Sequence, residues 1–304
     1  MTKSSDTSVH RCGHVAIVGR PNVGKSTLLN RLVGQKLAIT SHKPQTTRHS
    51  IIGVNTLPDA QLIYVDTPGI HRRGEQPMNR YLNRTAKSVL AGVDVVVFVI
   101  EALAWTAEDQ IVADALREID VPLLAVVNKV DTVKDKNRLL PFLASLGERL
   151  SFQAIIPVSA RHGQHVEEVE RALLPLLPEG ENIYPDDQLT DRSSRFLAAE
   201  LVREQLTRLY DKELPYALTV EIEKFEEQGE LLRIFALVSV EKASQKAILI
   251  GKGGAAMKEA SRRARLAMEK LFGKKVFLRV WVKVNKSWSA DEKALASLGY
   301  REDG

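Results

Sequence analysis

The chain of 304 residues contains one cysteine, Cys12. A single thiol excludes an internal disulfide framework and fits a reducing compartment. At the edge of a polar N-terminal stretch it reads as an idle thiol rather than a nucleophile. Membrane-length apolar runs are also missing. Val93–Ile100 is interrupted by Asp94 and has the length of a strand, far short of the about 20 residues that a membrane helix needs. The first dozen residues are polar and lack the apolar core of a secretory signal, so a disordered tail is expected there. The 7 histidines show no metal-ligand spacing; His162 and His165 come nearest, at a loop–helix start with no cysteine beside them. Charge of one sign is not in large excess either, at +5 net. An apolar content of 44% and a charged content of 27% are ordinary for a soluble globular protein, and the length favours two domains.

The distribution of charge is more telling than its sum. From Lys242 to Lys286 there are 13 Lys and Arg against two acids, Glu259 and Glu269. An imbalance of this size in so short a stretch suggests a polyanionic partner.

The first half is set by the run Gly19-Arg20-Pro21-Asn22-Val23-Gly24-Lys25-Ser26, followed by Thr27. It fits G-x-x-x-x-G-K-[ST], a loop whose backbone N–H groups converge on one anion. The apolar run before it reads as a strand and Ser26–Gly34 as a helix, whose N-terminus then faces the phosphates. Lys25 brings a positive charge to the β- and γ-phosphates, and the Ser26 hydroxyl is a magnesium ligand. Asp66-Thr67-Pro68-Gly69 ends a later apolar run; its carboxylate can hold the magnesium through water, and Gly69 can bring its N–H to the γ-phosphate. Asn128-Lys129-Val130-Asp131 ends another. Asp131 can accept hydrogen bonds from N1 and the exocyclic amine of guanine, a donor pair that adenine lacks. The Lys129 stem can cover the base and Asn128 can brace the loop. Ser159-Ala160-Arg161 offers N–H groups for the guanine carbonyl. Apolar runs alternate with amphipathic ones to about residue 178, among them helical stretches at Asn79–Ala91 and Lys136–Leu150. This predicts an α/β domain: a six-stranded, mostly parallel sheet with helices on both faces.

Pro175-Leu176-Leu177-Pro178-Glu179-Gly180 reads as a helix stop, and the proline-containing acidic stretch after it as a linker. The expected division is a tail at 1–12, a nucleotide domain at 13–180, a linker at 181–192, a second domain at 193–286 and a tail or helix at 287–304. The second domain reads helix, strand, strand, helix, helix, strand. Between its late helices lies Gly251-Lys252-Gly253-Gly254, preceded by Ile248 and Ile250 and followed by Lys258, Arg262, Arg263 and Arg265. A bare G-x-x-G is weak. In this order and charge context it matches a KH module, whose loop clamps about four nucleotides of single strand. Ile248 and Ile250 can form a floor for bases, while Lys252 and the later cations meet phosphates.

The order GRPNVGKS, DTPG, NKVD, SAR resembles translation-factor-related GTPases. Joined to a type II KH module, it resembles the Era-like family of bacterial GTPases over almost the whole chain. That resemblance implies a smaller α+β KH domain after the P-loop GTPase domain, GTP and GDP with Mg2+, and binding to the 3′ end of 16S ribosomal RNA in maturation of the 30S subunit. It implies a cytoplasmic monomer, with peripheral contact to the inner membrane left open. Gln45-Thr46-Thr47-Arg48 takes the place of the γ-phosphate sensor, with Thr47 favoured over Thr46 as magnesium ligand. Ile70 stands where Ras-type proteins carry the water-orienting Gln. The resemblance implies slow hydrolysis, helped by a potassium ion near Asn22. Lys25, Asn22, Thr47, Asp66 and Gly69 form the expected catalytic set. Two rival readings are a guanine-nucleotide-binding RNA chaperone with vestigial hydrolysis and a membrane-associated regulatory GTPase. The expected coupling route includes Ile70–Arg84 and the acidic linker: in the GDP state the linker or first domain is expected to compete for the basic RNA face, with Asp186, Asp187 and Asp191 set against Arg262, Arg263 and Arg265.

Overall fold

The computed structural model describes residues 9–41, 43, 46–69, 82, 88–210, 214 and 217–286. Ile70, Gln45, most of the helix expected at Asn79–Ala91 and the expected tail at 287–304 lie outside the described residues, although Ser88–Leu90 are helical.

The first unit is built on six strands: β1 (Arg11–Val18), β2 (Ile51–Thr56), β3 (Ala60–Asp66), β4 (Val95–Glu101), β5 (Leu123–Asn128) and β6 (Ala154–Pro157). Their order in the sheet is β2-β3-β1-β4-β5-β6. Only β2, joined to β3 by a short turn, runs antiparallel. β1, β3, β4 and β5 are rich in Val, Ile and Leu and are buried on both faces, as parallel strands under helices must be. One face packs against α1 (Lys25–Leu32) and α4 (Val166–Leu173). The other packs against α2 (Ala107–Leu116) and α3 (Leu139–Gly147).

The sequence expectation needs correction at three points. β1 begins at Arg11, so Cys12 is a strand residue rather than part of a tail; it is buried, and burial pushes its thiol up from the ordinary value. The helix expected over Lys136–Leu150 starts as a 3-10 turn at Lys136–Arg138, with Asp135 accepting from the Asn137 N–H, and turns α-helical only from Leu139. The stretch expected as a linker is strapped along the β2–β3 edge. Gln61, fully buried, accepts from the N–H groups of Ile183 and Tyr184 at 2.9 Å each, and Val54 N–H donates to Leu189 O at 2.9 Å.

The second unit runs α5 (Ser194–Leu209), β7 (Leu218–Gln228), β8 (Leu231–Val240), α6 (Ala243–Ile250), α7 (Ala255–Phe272) and β9 (Lys275–Val284). Ser193 caps α5, its hydroxyl accepting from Phe196 N–H at 3.3 Å. The sheet order is β7-β8-β9, with β8 and β9 parallel across the α6–α7 crossover. Ile234, Ala236 and Val238 of β8 meet Ala198, Leu201 and Leu206 of α5 and Ala264 and Met268 of α7 in one core.

α5 is buried on both faces. Its apolar stripe of Leu197, Leu201, Val202 and Leu206 enters the second core, as the helical period predicts. Its polar stripe of Glu200, Arg203, Glu204 and Thr207, which periodicity alone assigns to solvent, is also buried. The loop between α1 and β2 lies on it.

Candidate functional site

A cleft of about 960 Å³ opens at the carboxyl ends of β1, β3, β4 and β5. Its wall includes Asn22 and Gly24 from the loop after β1, Lys25, Ser26 and Thr27 from the first turn of α1, Thr47 and Gly69 from the loops flanking β2 and β3, Asn128 at the end of β5, and Lys129, Asp131 and Arg161 from the loops after β5 and β6. Segments far apart in sequence meet here because parallel strands deliver their carboxyl ends to one edge.

The loops after β1 and β3 each need a glycine where they meet their neighbours. Gly24 has φ +104°, and a Cβ there would come within 2.2 Å of the Asn128 amide; at Gly69 a Cβ would meet Pro21 at 2.8 Å. Asn128 is the brace between loops. Its amide donates to Val23 O at 2.8 Å, and its carbonyl accepts from Ala160 N–H at 3.0 Å. Val23 itself is core, and Thr67 donates to Ile17 O at 3.0 Å, so neither side chain faces the cleft.

Ser26, Thr47 and Asp66 converge. Ser26 Oγ lies 2.6 Å from Asp66 Oδ2 and 2.9 Å from Thr47 Oγ1, which is itself 3.4 Å from Asp66 Oδ2. Three oxygens at this spacing suit a hard divalent cation. Asp66 Oδ1 is buried with no hydrogen-bond partner, an acceptor that a metal-bound water would satisfy. Thr46 is turned away: its hydroxyl is 2.6 Å from Ser41 Oγ and donates to Lys43 O at 2.6 Å. Burial raises the Asp66 carboxyl to about 6, against the pull of Lys25 and of the Ser26 and Thr47 hydroxyls. Lys25, also buried, is lowered to about 8 by desolvation; its ammonium donates to Gly19 O and Arg20 O at 2.9 Å each.

At the far end of the cleft, Asp131 accepts from Ser159 Oγ at 2.6 Å, which holds its carboxyl below the usual range. Lys129 sits at φ +66°, with its ammonium 3.0 Å from Glu101. Glu101 also binds Arg20 at 2.8 Å, and Asp109 takes the other side of that guanidinium at 3.1 Å. Arg20 is thus committed to the end of β4 and the start of α2 rather than to the cleft. Ser159 N–H donates to Gln164 O at 3.1 Å and Ala160 N–H is engaged by Asn128, so neither points freely at a base. Sequence reasoning missed Glu101, which carries no motif.

The second unit presents its own surface. Gly251 closes α6 with φ +72°, where a Cβ would meet Ala256 Cβ at 2.8 Å; Gly253 and Gly254 follow at φ +60° and +77°. Ile248 is exposed beside them, Ile250 is partly buried, and Leu249 between them is core. Lys252 and Lys258 are exposed. Arg262 and Arg263 share Glu259 at 2.9 and 2.6 Å, and Arg265 pairs with Glu269 at 2.8 Å.

Two of the three acids expected to rival these arginines are engaged elsewhere: Asp186 accepts from Asn182 at 2.8 Å, and Asp191 lies 3.6 Å from Arg192 beside β2. The two units are joined instead through α5. Arg203, held by Glu200 at 2.6 Å, donates to Thr46 O at 2.5 Å. Glu204 accepts from Thr40 N–H at 2.9 Å and pairs with Lys36 and Arg208; Arg208 donates to Thr40 O at 2.9 Å. Arg48 donates to Leu218 O at 2.8 Å.

Two family models match this division, one described as 50S ribosome-binding GTPase over residues 14–129 and one as KH domain over residues 213–289. GTPase Era of Azotobacter vinelandii is 55% identical over 96% of this chain and 97% of its own, and that of Pseudomonas fluorescens 53% identical over 97% and 99%. The chain belongs to the Era family of GTPases. Two solved Era structures have the same fold at 36% identity. A single-substitution variant of Aquifex aeolicus Era bound to GDP·AlF4− has a TM-score of 0.92 and covers 95% of this chain and 99% of its own. Era in complex with MgGDPNP and nucleotides 1506–1542 of 16S ribosomal RNA has a TM-score of 0.91 and covers 96% and 99%. As an Era-family member the chain is a GTPase with a C-terminal KH domain.

Proposed function

We propose that this GTPase is a switch that binds the 3′ end of 16S ribosomal RNA through its KH domain and acts in assembly of the 30S subunit, as a cytoplasmic monomer. The similar Era solved with MgGDPNP and that RNA supports the target. The observation that carries the switch is the Arg203 bond to Thr46 O, one residue from Thr47. That bond ties α5 of the RNA module to the backbone next to the expected magnesium ligand.

In this reading Lys25 and the loop from Gly19 to Thr27 hold the phosphates. Ser26 and Thr47 ligate Mg2+, and Asp66 holds it through water. When bound, the ion neutralises charge on the β- and γ-phosphates. Gly69 N–H senses the γ-phosphate, and the Asp131 carboxylate selects guanine while Lys129 covers the base. Asn22, exposed at the cleft wall with φ +65°, is the place for a potassium ion that speeds hydrolysis. Loss of the γ-phosphate frees Thr47, and Arg203 carries that change into α5. On the RNA side, Ile248, Ile250, Lys252 and the α7 cations form the clamp. We also take residues 181–192 as the boundary between the domains. The test is anisotropy of a labelled 16S 3′-end oligonucleotide against a scrambled one, with a GTP analogue bound. Preference for the native oligonucleotide that is lost in Lys252→Glu is expected; equal binding of both overturns the target.

A further inference from the structure

Among the described residues, the β7–β8–β9 sheet has helices on one face only. Ile234, Ala236 and Val238 point into the core, and the alternate residues of β8 point away from it. Register sets these outward residues in rows with their neighbours: Glu226, Arg233 and Phe277; Lys224, Phe235 and Arg279; Glu221, Leu237 and Trp281. Phe235 lies at the centre, its ring 6.0 Å from that of Phe277 and 6.2 Å from that of Trp281. Cations are laid over these rings: the Arg233 guanidinium is 5.7 Å from the Phe277 centroid, and the Lys224 ammonium 5.8 Å from that of Phe235.

Neither aromatic of β9 is covered. Phe277 is 45% and Trp281 36% exposed, while Val276 on the other face of the same strand is buried and Leu278, Val280 and Val282 are partly so. Cross-strand packing alone accounts for contact between the rings but not for leaving them open to water. The charge around them has one sign in excess. Lys224, Arg233, Lys275, Arg279 and Lys283 stand against Glu221 and Glu226 on the face and Glu223 at the bulge beside Glu221, and Glu226 is paired with Lys224 at 2.9 Å. Toward the G domain the face closes, where Thr219 and Ser239 are buried.

We propose that this open sheet face is a second surface for single-stranded nucleic acid, on the opposite side of the sheet from the Gly251–Gly254 loop. Bases stack on Phe235, Phe277 and Trp281, and phosphates lie along Arg233, Arg279 and Lys283. Stacking on aromatics is tolerant of sequence because every base has a π-face. An acidic protein segment would satisfy the cations and leave the rings uncovered; a nucleic acid strand satisfies both. β9 is the sheet edge, so a strand leaving the loop rounds that edge to reach the second surface. Only an oligonucleotide longer than the about four nucleotides held by a KH loop can use both.

The test uses the full chain with a GTP analogue and oligouridines of about four and about sixteen nucleotides. Arg279→Glu is expected to weaken the long one about ten-fold, through lost phosphate contact and stacking, and to leave the short one unchanged. Lys252→Glu reports on the loop separately, by weakening the short one. Unchanged binding of the long oligonucleotide in Arg279→Glu, or equal weakening of both, overturns the proposal. Independently of any variant, a thiouridine-substituted long strand is expected to photocrosslink to Phe277 or Trp281. Crosslinks confined to residues 248–265 overturn it, as does protection of Lys224 and Lys283 by a second copy of the chain in the absence of nucleic acid.

Discussion

Asp131 and Asp66 show how environment sets the work of a carboxylate. Asp131 is held ionised by the Ser159 hydroxyl, so its two oxygens are acceptors over the whole physiological range. Asp131→Asn exchanges one acceptor for a donor, and nucleotide competition is expected to move toward xanthine nucleotides; unchanged preference for GTP contradicts the base assignment. Asp66 is the opposite case, raised to about 6 by burial. Its folded value lies above its unfolded one, so the folded state holds the extra proton between about pH 4 and 6. In the metal-free protein this group's contribution to stability is therefore present in acid and is lost as pH rises through 6. Protons then compete with magnesium for this carboxylate, so the Mg2+ concentration needed for half-maximal GTP turnover is expected to rise as pH drops through about 6, and Mg2+ titrations at several pH values check it. Asn22 belongs to this scale too: turnover is expected to be faster in potassium than in sodium at equal ionic strength, and Asn22→Ala to remove the difference.

At the scale of elements, α5 carries the account. Arg203 and Glu200 are a buried ion pair, so removing either charge takes from the other its buried counter-charge, at roughly 3–5 kcal/mol. Arg208 is gentler: its side chain is 43% exposed and its pair with Glu204 is worth under about 1 kcal/mol. Arg208→Ala is expected to keep the fold and to loosen the Thr40 end of the loop. Thermal melting should then change little, while the ratio of RNA affinities between nucleotide states narrows. His49 lies in the same interface against Phe196 at 5.4 Å and is lowered to about 4 by burial. Its stabilising contribution is whole above about pH 6.5 and is lost as pH falls from there toward 4.

The sheets were legible because alternation and apolar runs report burial, and the cleft because its motifs sit at strand ends. Glu101 was not, since an acid at the end of a strand has many uses. The polar stripe of α5 was hidden for a deeper reason. Periodicity tells which face enters a core but not that a second unit covers the other, and Arg203 meets Thr46 across 157 positions.

For the whole molecule, the claim is that nucleotide and RNA sites are coupled through that interface. Coupling between binding sites is reciprocal. Whatever factor separates RNA affinity in the GTP-analogue and GDP states must equal the factor by which RNA separates affinity for the two nucleotides. The direct measurement is the dissociation constant of a 16S 3′-end oligonucleotide from the full chain, at one salt concentration, with GDP and with a GTP analogue. Tighter binding in the analogue state, with the same factor recovered from nucleotide titrations in saturating RNA, is the predicted result. Equal RNA affinities in the two states would contradict the account.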